Sequence, residues 1–323
     1  LECDAVILDE VSMVDITLMQ ALIEALPYGA RLVLVGDADQ LPPVGPGNFL
    51  RDIIGSHRVP TIQLTDIFRQ AQQSDIVMNA HAVNEGHMPV PSGADGDFFF
   101  LKRADPAAVI ETVAQLCAVR LPNHYGLLPS QIQVLSPARR QGSGTIALNR
   151  RLQEALNPPA EDKLEKRFGD WIFREGDRVM QVRNNYDIIW EKRENDEQGT
   201  GIFNGDVGEI LQIFPRQECM VIRFDDRIAT YTYDMLGELE LAYAVTVHKS
   251  QGSEFDAVVL ALSDALPRRL LTRNILYTAI TRAKQLLVIV GSQDVVAYMV
   301  GNNQKGRRYS ALKARLREEA SAE

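Results

Sequence analysis

Two short apolar runs that each end in carboxylates constrain this chain most. Ala5-Val6-Ile7-Leu8 leads directly into Asp9-Glu10, and Leu32-Val33-Leu34-Val35 leads into Gly36-Asp37-Ala38-Asp39-Gln40-Leu41-Pro42-Pro43-Val44, which begins 26 residues after Glu10. Continuous apolar runs with β-branched residues read as buried parallel strands, because strands covered on both faces do not alternate. Parallel strands present ligand-binding groups at their carboxyl ends. Adjacent strands here would set Asp9, Glu10 and Gln40 along one edge. With the helical stretch Ile16 to Ala25 between them and a third strand expected at Thr61 to Leu64, the segment predicts an α/β fold with a parallel sheet.

Paired carboxylates on such an edge suit a nucleotide site. Asp9 would hold Mg²⁺ on the phosphates, and Glu10 would orient an attacking water. On that pair alone, a strand ending in a solvated acidic turn explains the pattern equally well; the second segment tips the reading. Gln40 carries a neutral amide that can donate to a phosphate oxygen and accept from water, which suits a γ-phosphate sensor. The stiff Leu41 to Gly47 stretch taken singly is an ordinary turn-rich loop. No GxxxxGK[ST] phosphate loop occurs in the sequence, and the chain opens at Leu1, close to a core strand. Both features predict a piece of a longer protein whose upstream part supplies that loop.

At 323 residues and 46% hydrophobic, the chain can bury two cores, and length predicts about two domains. A net charge of −9 argues against attraction of a polyanion by the whole surface, so any nucleic-acid groove must be local. Cys3, Cys117 and Cys219 are scattered and free of CxxC spacing, which predicts reduced, buried packing thiols in a cytoplasmic setting and no zinc site. No apolar run reaches membrane-spanning length and no basic-then-apolar leader is present, so neither insertion nor export is expected.

Texture divides the chain. Residues 1–72 read as one α/β unit. A second begins near Asp75, with helices Asp75 to Glu85 and Pro106 to Val119 and strands Phe98 to Leu101 and Ile132 to Leu135. Residues 166–240 carry short alternating runs separated by Asn-Gly, Pro-Arg and Asp-Asp turns, the pattern of a small antiparallel barrel. The hydrophilic stretch Glu191 to Thr200 reads as a mobile loop. α/β texture resumes at residues 241–323, so the barrel interrupts a second domain made of 73–165 and 241–323. The basic stretch Lys305 to Arg317 reads as a solvated helix.

Other segments carry chemistry. Arg69, at the end of the first unit, could fork onto phosphate oxygens, although a surface ion pair is the simpler reading. Ala244-Val245-Thr246-Val247-His248-Lys249-Ser250-Gln251-Gly252-Ser253-Glu254-Phe255-Asp256 is ordered in a way no amphipathic period demands. In it Gly252 would admit a phosphate to the backbone, and Thr246 and His248 could grip a DNA phosphate by hydrogen bonds. In Leu276-Tyr277-Thr278-Ala279-Ile280-Thr281-Arg282-Ala283-Lys284, Arg282 is the candidate arginine finger, with Tyr277 and Ile280 expected in the core. Leu135-Ser136-Pro137-Ala138-Arg139-Arg140-Gln141-Gly142 precedes a helix and is either a phosphate-backbone cradle or a plain connection. Tyr186 and Phe203 could stack a single strand, with barrel core the simpler reading.

In this order the segments resemble motifs II, III, IV, V and VI of superfamily 1 helicases, in the form found in the RecD-like group that includes the alpha subunit of exodeoxyribonuclease V. The resemblance covers nearly the whole chain. It implies two RecA-like parallel-sheet domains with an SH3-like barrel insertion, ATP and Mg²⁺ as cofactors, and 5′ to 3′ DNA helicase activity on single-stranded DNA and duplex junctions in repair or recombination. It also implies that Asp9, Glu10, Gln40, Arg69, Gly252, Glu254 and Arg282 surround the nucleotide, while Pro43, Ser136, Arg139, Thr246 and His248 line the DNA path. Because the phosphate loop is missing, a non-catalytic DNA-binding or assembly subunit is the alternative, and an RNA helicase of similar architecture is a further one.

Overall fold

The computed structural model describes residues 1–64, 73–192, 197–303 and 310–319. In the first unit, β1 (Ala5–Leu8), α1 (Ile16–Ala25), β2 (Arg31–Leu34) and α2 (Phe49–Ser56) form a two-stranded parallel sheet with β1 paired to β2 from Ala5↔Arg31 to Leu8↔Leu34. Asp15 caps α1 by accepting from Leu18 N at 2.8 Å, satisfying one of the helix's orphan donors. Its core is small: Val11, Val14, Met19, Phe49 and Leu50. The strands are parallel as expected but not buried on both faces; Ile7 is 74% exposed and Val33 and Val35 are also exposed. Thr61 to Leu64 forms no strand, and Ile62 and Leu64 lie open to solvent.

The second unit follows with α3 (Asp75–Glu85), β3 (Phe98–Lys102), α4 (Pro106–Gln115), α5 (Leu121–Tyr125), β4 (Ile132–Ser136) and α6 (Thr145–Leu156). A π-helical turn, Leu116–Arg120, joins α4 to α5. An antiparallel insertion comes next: β5 (Glu165–Phe168), β6 (Trp171–Arg174), β7 (Arg178–Gln181), β8 (Asn185–Lys192), β9 (Gln198–Ile202), β10 (Val207–Phe214), β11 (Cys219–Phe224), β12 (Arg227–Thr232) and β13 (Leu239–Leu241). The unit then resumes with β14 (Ala244–Thr246), β15 (Phe255–Leu262), α7 (Arg273–Ile280), β16 (Ala283–Gly291) and α8 (Gln293–Gly301). A final helix, α9 (Leu312–Glu319), packs on α2 of the first unit. There Leu312 joins the small core and Arg317 donates to Gly55 O at 2.7 Å, so this helix is docked rather than solvated all round.

Five parallel strands in the order β14-β4-β15-β16-β3 make the central sheet of the second unit. Along β15, Ala257, Val259 and Ala261 enter one core while Val258, Leu260 and Leu262 enter the other, which is why its sequence is a continuous apolar run. The first of these cores continues into the insertion through Ile210, Met220, Ile222 and Tyr231, so sheet and barrel share packing. The insertion is a curled seven-stranded sheet, β13-β7-β10-β11-β12-β8-β9, the SH3-like element expected. Glu191 and Lys192 close β8 and Gln198 to Thr200 open β9, so the expected mobile loop is largely a hairpin; residues 193–196 lie outside the described set. A Cβ on Gly199 would fall 2.3 Å from the Trp190 ring, so the glycine is where the indole crosses the partner strand.

Cys117 is buried, and burial pushes its thiol up to about 12, whereas Cys3 and Cys219 are only partly buried; all three are free. Among the described residues no helix is long and apolar enough to cross a membrane, and no cluster of three or more His, Cys, Asp or Glu could hold a metal ion.

Candidate nucleotide and nucleic-acid cleft

The acidic pair is fixed by the end of the two-stranded sheet. Val35 N donates to Leu8 O at 2.8 Å and Val11 N to Val35 O at 3.0 Å, which pins Asp9 and Glu10 beside the end of β2. Glu10 adopts φ 52°, a left-handed conformation that costs a non-glycine residue about 1 to 2 kcal/mol. Its backbone N–H donates to Asp9 Oδ1 at 2.7 Å, and the Asp9 side chain stands exposed.

The loop after β2 belongs to both units. Asn274 Nδ2 donates to Asp39 O at 2.6 Å and Gln40 O at 3.2 Å; Leu41 N donates to Thr278 Oγ1 at 3.1 Å; Gln251 Nε2 donates to Leu41 O at 3.1 Å. Tyr277 OH donates to Asp37 Oδ2 at 2.8 Å, and Asn84 Nδ2 to Asp39 Oδ2 at 2.9 Å. Leu41 itself is 4% exposed and packs in a core of the second unit. Tyr277, expected in the core, is half-buried and bridges the units; Ile280 is in the core as expected. Polar Asn274, Tyr277, Thr278 and Thr281 recur at helical spacing along an otherwise apolar segment, a signal in the sequence that could have revealed this face.

Gln40, Pro43 and His248 are brought together around a cavity of ≈ 430 Å³, with Arg51, Arg269 and Asn274 also in its wall. Gln40 Oε1 is buried there without a hydrogen-bond partner. Burial holds the His248 imidazole below its ordinary range, so it is mainly neutral at pH 7. Arg139 and Thr246 meet at a separate small pocket with Glu240 and Lys249. Ser136 is fully buried below them; its hydroxyl donates to Ser143 O at 2.8 Å, so it shapes the turn and does not face solvent.

Arg282 is 4% exposed and follows α7 at the turn into β16. Its guanidinium donates to three neutral acceptors, Thr278 O at 3.3 Å, Ser253 O at 3.1 Å and Thr281 Oγ1 at 3.2 Å, and it has no carboxylate partner among the described residues. Ser253 ties it to the turn containing Gly252, whose φ of 75° leaves open space beside its α-carbon. Glu254 is exposed and pairs with Lys284 at 3.6 Å. Arg69 lies outside the described residues.

A carboxylate edge, a loop shared by two parallel-sheet units, a buried arginine on the segment that binds this loop and an inserted SH3-like barrel are the features that the resemblance to superfamily 1 helicases implies. Three sequence families match in succession: "AAA domain" over residues 2–97, "ATP-dependent RecD-like DNA helicase SH3 domain" over 148–224 and "UvrD-like helicase C-terminal domain" over 241–290. An ATP-dependent RecD2 DNA helicase of Deinococcus radiodurans is 36% identical over 97% of this chain and 40% of that protein. The RecBCD enzyme subunit RecD of Mycobacterium tuberculosis is 32% identical over 97% of this chain and 53% of that protein. Among solved structures, the Pif1 helicase from Candida albicans overlays with a TM-score of 0.47 at 16% identity, covering 99% of this chain and 77% of that one. The chain is similar to RecD-like helicases over nearly all of its length, and it spans about half the length, or less, of these two curated relatives.

Proposed function

We propose that this chain is the motor segment of a cytoplasmic, ATP-dependent 5′ to 3′ DNA helicase or translocase that acts on single-stranded DNA and duplex junctions in repair or recombination. Its relatives' names support ATP dependence and DNA unwinding. Polarity and pathway rest on the family resemblance. The observation that carries the proposal is Arg282, a buried cation without an ionic partner among the described residues, on the segment whose neighbours Tyr277 and Thr278 bind the loop of Gln40. An unpaired buried charge is costly, which calls for an anion at that place.

The residues present fit ATP with Mg²⁺. Exposed Asp9 offers one carboxylate, and Mg²⁺ is ordinarily held by one or two carboxylates plus phosphate oxygens and waters, not by an all-protein cage. When bound, the ion would neutralise phosphate charge. Glu10 would orient water, the orphaned Gln40 Oε1 would accept from it, and Arg282, Gly252, Glu254 and Arg69 would complete the nucleotide shell. Pro43, Arg139, Thr246 and His248 would meet the DNA backbone, with Ser136 shaping the turn that carries Arg139. The phosphate loop would come from an upstream segment of the same protein. ATP that gains arginine contacts only in the closed cleft biases closure, and hydrolysis releases that bias.

The lack of a phosphate loop in these 323 residues favours one other reading, a DNA-binding or assembly subunit without catalysis. Tailed duplexes separate the two when the chain is joined to a phosphate-loop segment. ATP-dependent unwinding from a 5′ tail and not from a 3′ tail supports the motor; DNA binding with neither hydrolysis nor unwinding leaves the non-catalytic subunit.

A further inference from the structure

Three charged side chains converge where β13 passes the turn before α6 and the Val247–Ser250 turn. Glu240, 20% exposed, uses both carboxylate oxygens: Arg139 Nη2 lies 2.7 Å from Oε1 and Lys249 Nζ 3.1 Å from Oε2. Thr246 and Thr145, the first residue of the twelve-residue α6, line the same pocket. A guanidinium, an ammonium and a hydroxyl are groups that a phosphate site is made of. Here the chain's own acid stands among them. Strand packing does not require it, because β13 is anchored by buried Leu239 and Leu241 on either side.

We infer that Glu240 is an internal stand-in for a nucleic-acid phosphate. It holds Arg139 and Lys249 in place when DNA is absent and yields them to a backbone phosphate of single-stranded DNA when the strand is bound. This rests on the reading that the chain binds single-stranded DNA, and it adds the residue that sets how tightly one phosphate is held. Arg139 is 48% exposed and Lys249 30%, so both ion pairs are partly solvated and weak enough to exchange. A phosphate matches the guanidinium fork as well as a carboxylate does. Binding must then strip Glu240 of its partners and leave its charge beside the phosphate, which weakens the grip and makes it releasable.

The test is a salt series of oligothymidylate binding to the 323-residue chain, followed by fluorescence anisotropy. Glu240→Gln is expected to bind about 3- to 10-fold more tightly at low salt with an unchanged logarithmic salt slope, because wild type makes the same phosphate contact after displacing its own acid. Glu209→Gln removes the same charge from a surface pair with Arg223 in the barrel and should change nothing. Adding Arg139→Ala to Glu240→Gln should erase the gain. Wild-type affinity in Glu240→Gln, or an equal gain in Glu209→Gln, overturns this inference alone. A wild-type chain without salt-dependent binding overturns the DNA reading and this inference with it.

Discussion

The Tyr277 hydroxyl donates to Asp37 Oδ2 at 2.8 Å, joining residues 240 positions apart in the chain. Burial, with the Asp37 charge beside it, pushes this phenol well up, so it remains the donor at neutral pH. Around the bond, Asn274, Thr278 and Gln251 take up the backbone of Asp39 to Leu41. The loop of the candidate sensor Gln40 is therefore held by the same segment that carries Arg282.

Thr278→Val removes the acceptor of the Leu41 amide while keeping nearly the same shape at a fully buried site. Loss of one hydrogen bond, about 1 kcal/mol, should speed hydrogen exchange of the Leu41 amide roughly 5-fold. Tyr277→Phe should act in the same direction. Unchanged exchange in both variants would mean that the seam is held by Leu41 packing alone.

Burial lowers the His248 imidazole from its ordinary range, so in the chain without DNA the ring is mainly neutral at pH 7 and can offer a phosphate a hydrogen bond without charge. His248→Ala should weaken oligothymidylate binding without changing the salt slope, whereas Arg139→Ala should reduce the slope by about 0.7. Stability follows the same shift. The folded value lies below the unfolded value of about 6.5, so the stability contributed by the neutral ring is present above that pH and is lost as pH falls through the folded value. His248→Gln should flatten the fall of urea-unfolding free energy on acidification below about pH 6.5, and a profile identical to wild type would count against the burial effect.

Asp177 is fully buried where the barrel meets α6, and accepts from Asn157 Nδ2 at 2.8 Å, Gln153 Nε2 at 2.5 Å, Arg174 N at 2.7 Å and Tyr243 OH at 2.9 Å. Burial raises its carboxyl above 3.8, outweighing these bonds. A raised folded value means that the native state holds its proton more tightly than the unfolded chain. Its contribution is therefore greatest below 3.8 and declines as pH rises through the raised value. Asp177→Asn sets an amide NH₂ against N–H donors and should cost about 2 to 4 kcal/mol at neutral pH in urea denaturation. A loss within about 0.5 kcal/mol of zero would show that the network is dispensable.

Local pattern reveals the α/β layers well: Ile16 to Ala25 and Asp75 to Glu85 are helices where the sequence predicts them. The β8–β9 hairpin is hidden because Gln198-Gly199-Thr200-Gly201 has the composition of a loop, and its strand character comes from pairing with β8, where Gly199 makes room for the Trp190 ring. The exposure of β1 is not legible because an apolar run does not say what will pack over a strand's two faces. At the site, ordered motifs identify the segments, and the structure then draws Gln40, Pro43 and His248 around one cavity. The polar spacing around Tyr277 marks a face but not its partner, which lies 240 positions away, and nothing in the sequence tells that Glu240 meets Arg139, since the strands of the barrel lie between them along the chain.

The proposed nucleotide cleft is tested most directly by DNA-stimulated ATP hydrolysis of Arg282→Lys, measured in a polypeptide that joins this chain to a phosphate-loop segment. Lysine keeps the charge but loses the guanidinium fork. Turnover should fall by a factor of about 10³ or more, with nucleotide-free binding of single-stranded DNA and the thermal midpoint close to wild type. Wild-type turnover in that variant would contradict the proposed role of Arg282 as the arginine finger.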